Sequence, residues 1–332
     1  MTIPPPYRLT KNIVSLLNQL EKLKTTLDLL PVNKKLEAYQ RKKSILKSAL
    51  YSARIEGNPL TEADINSRNA PPKDKLESAN LSRSIEFVLK PSWKQPLALD
   101  DLKRLHRLTL SGLSGSAGFL RQEPSAIFNS AGIAVYVCPS PAEIKTLLKK
   151  LLSYINRKTL DPIPVKALLS HLVFEKIHPF LDGNGRVGRL LIHLILKKWH
   201  WDLRGLASFE QYLDRYRQQY YDLLSTAGLD ATKFVEFFLE SLRWSVKQAI
   251  KVKKTAAPAK LSPEQNLPPR RSEILNIIRD HRQISFDFLH RRFAAISPRL
   301  LRYDLKKLQD AGLVKKLGVT RGAVYISSKI NR

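Results

Sequence analysis

Apolar residues recur along most of this chain at the three-and-four spacing of a helix face. Leu16, Leu17, Leu20, Leu23, Leu27 and Leu30 follow it near the N-terminus, and Leu147, Leu148, Leu151, Leu152 and Ile155 follow it again. Val165, Leu168, Leu169, Leu172 and Val173 make a third stripe; Val187, Leu190, Leu191, Leu194 and Ile195 make a fourth. The fourth also carries Ile192 and Leu196 on its other side, so it is apolar nearly all round and is expected at the centre of a helical bundle. Strand-like pattern appears once in this part, where residues 125–128 and 133–137 flank Asn129 to Gly132, which predicts a β-hairpin.

Residues 247–270 change character. Lys247, Lys251, Lys253, Lys254 and Lys260 repel one another, and Pro258, Pro263, Pro268 and Pro269 break helix, so a linker is expected over residues 252–270. Beyond it the pattern predicts three short helices (272–281, 285–293, 297–310) and two strands (313–317, 323–326), with Ser285 and Ser297 as helix caps. The expected organisation is an N-terminal helical region (1–98), a helical core (99–251), the linker and a C-terminal unit (271–332). The fold class is mainly α.

Charge adds a partner class. The 332 residues include 57 Lys+Arg against 29 Asp+Glu, a net charge of +28. A field of that sign attracts polyanions, nucleic acid and nucleotides among them. The single cysteine, Cys138, excludes an internal disulfide and a cysteine-rich metal site. Apolar runs such as 190–196 are too short to span a bilayer, so no membrane partner is expected, and with no signal-peptide pattern the expected location is cytoplasmic.

The chemistry lies between the third and fourth stripes, in His178-Pro-Phe-Leu-Asp-Gly-Asn-Gly-Arg-Val-Gly-Arg189. Pro179 ends one helix near His178, Gly183 and Gly185 allow a tight turn, and the next helix is expected to start at about Arg186. Its free N–H groups and positive dipole end face the turn, a site for phosphate. Arg186 and Arg189, three apart, both reach such an anion. Asp182 is a natural ligand for Mg²⁺, which takes few carboxylates plus phosphate oxygens. His178 is the group that exchanges a proton near neutral pH and is the candidate base. Each part alone has an ordinary structural reading, as a helix cap, a turn or a solvated arginine pair; the combination has one chemical purpose.

This segment resembles the signature of the Fic family, HPFxDGNGRxxR, with no departure at the defining positions. The resemblance runs over roughly residues 99–227 and implies a Fic-type helical bundle that transfers AMP from ATP to a Ser, Thr or Tyr hydroxyl of a protein, possession of a self-modifying activity included. It implies that His178 deprotonates the hydroxyl and Asp182 holds Mg²⁺. Gly183, Asn184 and Gly185 would cradle the phosphate next to the sugar, and Arg186 and Arg189 the two outer phosphates. The hairpin, with Ile133, Ala134, Val135 and Tyr136, would be the flap on which the target docks. Tyr216 and Tyr220 would lie beside the adenine, although Tyr216 stands where many relatives have Asn.

Upstream, Ser52-Ala-Arg-Ile-Glu56-Gly57 ends a helix expected over about residues 41–57. An acidic side chain in a last helical turn faces the negative dipole end unless a cation compensates. Ser52 and Glu56 match the family pattern (S/T)xxxE(G/N), whose glutamate pairs with the second arginine of the signature. The resemblance therefore implies autoinhibition through Glu56 and Arg189, and a Glu56-dependent removal of AMP. His106, His171 and His193 read as core or surface histidines.

Residues 271–332 carry 14 Lys+Arg against 5 Asp+Glu, net +9, and resemble a winged helix-turn-helix. Arg299, Arg302, Lys306 and Lys307 would enter a DNA groove, with Lys315, Lys316 and Arg321 on the wing. The alternative function is thus a DNA-binding regulator that uses its nucleotide domain as a sensor. The sequence is also compatible with a homodimer.

Overall fold

In the computed structural model the described residues are 2–31, 33–64, 71–90, 93, 96–128, 134–255, 264, 267–281, 283–294, 296–318 and 323–328. They divide into two compact units, Met1–Val32 with Gln40–Thr255, and Asn33–Tyr39 with Ala256–Arg332.

The first unit is a helical bundle built around two helices, α6 (Ile163–Ile177) and α7 (Asn184–Lys198), that are buried on nearly every side. All-round apolar sequence requires this, since an exposed face would leave a row of leucines and isoleucines in water. Around them lie α1 (Lys11–Leu29), α2 (Lys34–Ile55), α3 (Pro72–Val88), α4 (Leu99–Thr109) and α5 (Pro141–Asn156), followed by α8 (Glu210–Arg215), α9 (Arg217–Thr226) and α10 (Thr232–Thr255). One apolar core runs through residues from Ile13 to Ile250. Helix starts are set locally: the Thr10 hydroxyl accepts from the Ile13 amide at 3.1 Å, and Glu143 accepts the Ser140 amide at 2.9 Å to open α5.

The hairpin forms as expected from alternation, with β1 (Ala126–Phe128) antiparallel to β2 (Ala134–Val137). Its expected turn and Ile133 lie outside the described residues, as do most of residues 256–266.

A small second cluster matters for the site. Ile45, Ala49 and Ala53 of α2 pack with Leu81 and Ile85 of α3 against Leu190 of α7. The buried stripe of α2 also carries Ser48 and Ser52, and its small side chains let the helix approach α7 closely. This packing brings the ends of α2 and α3 to the motif.

Two local expectations are corrected. Helix α7 starts at Asn184, two residues before Arg186, because Gly183 at φ 77° is its cap. Helix α2 ends at Ile55, so Glu56 is the first residue beyond it; Gly57 at φ 98° turns the chain, and its amide and that of Asn58 close onto the carbonyls of Arg54 and Ala53. Residues 210–224 break at Tyr216 into two helices.

The second unit has α11 (Pro269–Asp280), β3 (Gln283–Ser285), α12 (Phe286–Arg292), α13 (Pro298–Asp310), β4 (Val314–Leu317) and β5 (Val324–Ser327). Its sheet is antiparallel in the order β3-β5-β4 over a core of Ile274, Ile278, Leu289, Leu301 and Leu305. Strand β3 was not anticipated, since three residues are too few for alternation to register. Arg321 lies outside the described residues.

Candidate functional site

The turn between α6 and α7 is fixed from several sides. The Asn184 side chain accepts the Phe180 amide at 2.9 Å and donates to the Phe180 carbonyl at 2.8 Å, so it folds the loop onto itself and leaves the α7 N-terminus open. His106 of α4 stacks flat on Phe180 with ring centroids 3.8 Å apart. Its Nδ1 accepts the Gly118 amide at 2.8 Å, so its Nε2 carries the proton and donates to the Asp182 carbonyl at 2.9 Å. Burial lowers the pKa of His106, which keeps this tautomer neutral.

His178 sits in the left-handed region at φ 48°, an uncommon conformation for a residue with a Cβ. Arg121 holds it there. This arginine is 3% exposed and donates to the carbonyls of His178 (2.7 Å), Glu123 (2.8 Å) and Pro139 (2.6 Å). The His178 Nδ1 faces the Glu175 carbonyl at 3.3 Å and must donate to it, leaving Nε2 with a lone pair. Burial lowers the His178 pKa, and neighbouring Arg121 pushes the same way, so the ring is neutral at pH 7.

Both motif arginines are buried and both meet carboxylates. Arg189, 1% exposed, donates from Nε to the Ser52 hydroxyl at 2.9 Å and from Nη2 to the Ser52 carbonyl and to Glu56 Oε1, each at 2.8 Å. Burial, the largest influence, opposes its charge, but Glu56 together with Tyr220 and Tyr221 raises its pKa on balance. Arg186 donates from Nη2 to Asp182 at 2.7 Å and from Nη1 to Glu77 of α3. Each arginine keeps one buried donor without a partner among the described residues, Arg186 Nε and Arg189 Nη1. Such orphaned donors are the feature expected of an anion site. Gly185 lies directly under Glu56: a Cβ there would overlap Glu56 Oε1 and come within 3.1 Å of Arg189 Nη1.

Asp182 is 65% exposed at its side chain and bonds the Gly183 amide at 2.6 Å through Oδ1. Burial alone would raise its pKa, but Arg186 and the Gly183 amide bring it below the usual carboxylate range. Among the described residues no group of three or more His, Cys, Asp or Glu is placed to hold a metal ion. A largely exposed ionised carboxylate beside the two arginines, itself paired with Arg186, fits a Mg²⁺ that arrives with a polyphosphate, which needs few protein ligands.

Beneath the turn lies a buried set that the sequence reading did not foresee. Burial pushes the Glu175 carboxyl up to about 8, with Arg189 opposing, and lowers His171 to about 3, so both are neutral at pH 7. His171 Nε2 lies 3.0 Å from the Tyr220 hydroxyl. Tyr220 is therefore in the core, packed on Phe238, and supports the site from below. Tyr216 is 38% exposed and packs against Tyr212 with ring centroids 4.6 Å apart and the rings tilted by 46°. Tyr221 instead reaches the loop carrying Glu56, donating to the Ile55 carbonyl at 2.8 Å. His193 has an acidic partner after all, Glu210, at 2.6 Å from a neighbouring helix.

A pH dependence follows from Glu175. The native carboxyl keeps a proton that the unfolded chain loses above about 4.5, so stability falls as pH rises from about 4.5 towards 8, by up to about 1.4 kcal/mol per pH unit. Glu175→Gln is expected to gain stability over the parent at pH 8 relative to pH 5. Urea unfolding at both pH values checks this; the same difference at each would place the proton elsewhere.

On the hairpin, Ala134 is exposed, and the Tyr136 ring lies 4.2 Å from the Lys176 ammonium, which itself donates to the Ser225 carbonyl. Val135 lies on the same strand. The contributions of Arg121, His106, Glu77 and Glu175 were not read from the sequence. The signal available was weak: Arg121 follows Gly118 shortly before the hairpin, and His106 and Glu175 interrupt apolar stripes.

Comparison with known proteins places these features. Residues 96–196 match the Fic/DOC family profile. Protein adenylyltransferase fic-1 of Caenorhabditis elegans is 27% identical over 241 residues, covering 68% of this chain and 45% of that protein. Protein adenylyltransferase Fic of Drosophila mojavensis is 27% identical over 216 residues, 60% of this chain and 40% of that one. The chain thus spans less than half the length of these curated relatives. A Fic family protein from Desulfovibrio desulfuricans G20 has the same fold, with TM-score 0.66 at 23% identity over 97% of this chain and 98% of its own. No helix among the described residues is long and apolar enough to cross a membrane. Residues 96–196 therefore carry the match to the Fic/DOC family, within a mainly helical fold shared with solved Fic proteins, and the chain is similar in sequence to proteins named protein adenylyltransferases.

Proposed function

We propose that this chain is a protein adenylyltransferase that moves AMP from ATP to a Ser, Thr or Tyr hydroxyl of a protein, and that Glu56 holds it in a low-activity state. The observation that carries the reading is a neutral His178 with a free Nε2 beside a helix N-terminus and two buried arginines with orphaned donors. His178 Nε2 takes the hydroxyl proton, the oxygen bonds to the phosphorus next to the ribose, and the bond to the outer two phosphates breaks, releasing pyrophosphate. The α7 N-terminal amides, Arg186 and Arg189 stabilise charge on the phosphates. Asp182 would hold Mg²⁺, whose charge would further neutralise the phosphates. The hairpin would seat the target segment, and Tyr216 would border the base, with Tyr220 behind it.

A second reading, DNA contact through a winged-helix unit, is favoured by the exposed face of α13, which carries Arg299, Arg302, Lys306 and Lys307. One experiment separates the two. The purified chain is incubated with labelled ATP, CTP, GTP and UTP plus protein extract, and its retention on duplex DNA is measured in rising salt. Label from ATP in a protein band supports transfer, and absence of label from any nucleotide, with the Glu56→Gly variant included, overturns it. An Arg299→Ala/Arg302→Ala chain is expected to transfer AMP normally; salt-sensitive retention that it loses supports DNA contact.

A further inference from the structure

The two motif arginines are not occupied in the same way by one residue. Glu56 takes Arg189, whereas Arg186 is held by Glu77, whose Oε1 accepts from Arg186 Nη1. Both members of this second pair are largely shielded, with side chains 8% and 13% exposed. Glu77 is joined to the Glu56 loop. Its other oxygen accepts the Asn58 amide at 2.8 Å, and the same Asn58 nitrogen donates to the Asp74 carbonyl at 3.1 Å. The Asn58 oxygen in turn takes the Leu60 amide at 3.0 Å. Asn58 is 7% exposed and stands two residues after Glu56.

We infer that Glu77 is a second counter-carboxylate on the nucleotide site, coupled to Glu56 through Asn58, so that the two glutamates withhold both arginines from phosphate together. This deepens the adenylyltransferase reading and rests on it. The charges require such a role: Arg186 and Arg189 are outnumbered by Asp182, Glu56 and Glu77, so an incoming polyphosphate meets a net negative site. Glu77 must yield Arg186 before that arginine contributes attraction. Glu77→Gln removes the charge and turns one of the two accepting oxygens into an NH₂ group, which then faces a donor of Arg186 or of Asn58.

The test is ATP affinity of the full chain by calorimetry, for the parent, Glu56→Gln, Glu77→Gln, Asn58→Ala and the Glu56→Gln/Glu77→Gln double variant. Glu77→Gln is expected to tighten ATP binding about tenfold, since a shielded pair exceeds the value of an exposed one. A purely structural carboxylate would not produce that gain. Asn58→Ala, which keeps both ion pairs, is expected to give a smaller gain and stands in should Glu77→Gln not fold. The double variant is expected to gain less than the product of the two single gains, because removing either carboxylate already loosens the linked segment. Unchanged or weaker binding in Glu77→Gln, with tighter binding in Glu56→Gln, overturns the second lock and leaves the adenylyltransferase reading standing. Singles that multiply fully in the double overturn the coupling. Failure of every variant to bind ATP overturns the inference together with the reading beneath it.

Discussion

His178→Ala is expected to lose AMP transfer by about 10²–10⁴-fold while binding ATP with nearly the parental affinity. The described hydrogen bond of the imidazole is to the Glu175 carbonyl and not to Arg186, Arg189 or the α7 N-terminal turn. Its loss therefore removes a proton acceptor and leaves the phosphate donors in place. The left-handed backbone at residue 178 is set by Arg121 on its carbonyl and by the helix end, so the turn should persist without the ring. Two measurements decide the matter: labelling rate at saturating ATP, and ATP affinity by calorimetry. A variant that labels as fast as the parent removes His178 from the mechanism, and one that loses ATP binding in parallel assigns the residue to shaping the turn. The neutral ring also sets the expected pH response. Activity should fall as acid protonates His178, at a pH below the ordinary histidine value because burial lowers its pKa.

Glu56→Gly is expected to raise labelling by about tenfold or more over the parent. In the structure Glu56 bonds Arg189 at 2.8 Å and overlies Gly185, so it occupies both the arginine proposed to hold phosphate and the mouth of the α7 N-terminus. Each 1.4 kcal/mol of bias towards that state lowers activity tenfold, and the Arg189 side of the pair is buried while the Glu56 side chain is 28% exposed. Arg189→Ala should impair transfer with or without Glu56, because the arginine itself would be missing. If Glu56 also serves the removal of AMP, its loss is expected to slow that removal. Initial labelling rates report the first effect and a chase of pre-modified target the second. Equal rates in both assays for parent and variant would reduce Glu56 to a helix-end carboxylate without a regulatory part.

Much of the architecture was legible because it is local. The stripes at Val165 to Val173 and Val187 to Ile195 predicted two buried central helices, and both are buried nearly all round. The hairpin at residues 125–137 followed from alternation, and the glycine turn from Pro179, Gly183 and Gly185. Boundaries slipped where a side chain decided them: Asn184 closes onto Phe180 and starts α7 early, and Gly57 ends α2 just before Glu56. Strand β3 exists through its pairing with β5, which lies about forty residues away and leaves no local trace.

The sequence by itself determined the turn after His178, the start of a helix at that turn and the placing of two arginines on it, because twelve consecutive residues specify backbone path, dipole and charge at short range. Tertiary structure decided which carboxylates reach those arginines. Glu56 and Glu77 arrive from helices more than a hundred residues upstream, through the packing of α2 and α3 on α7. It also decided protonation, since the neutral His178, the proton on Glu175 and the tautomer of His106 follow from burial and from carbonyls and amides supplied by other helices and loops. Spacing along a chain reports which side chains share a helix face. Desolvation and long-range ion pairing depend on how faces meet, and that is settled only when the bundle closes.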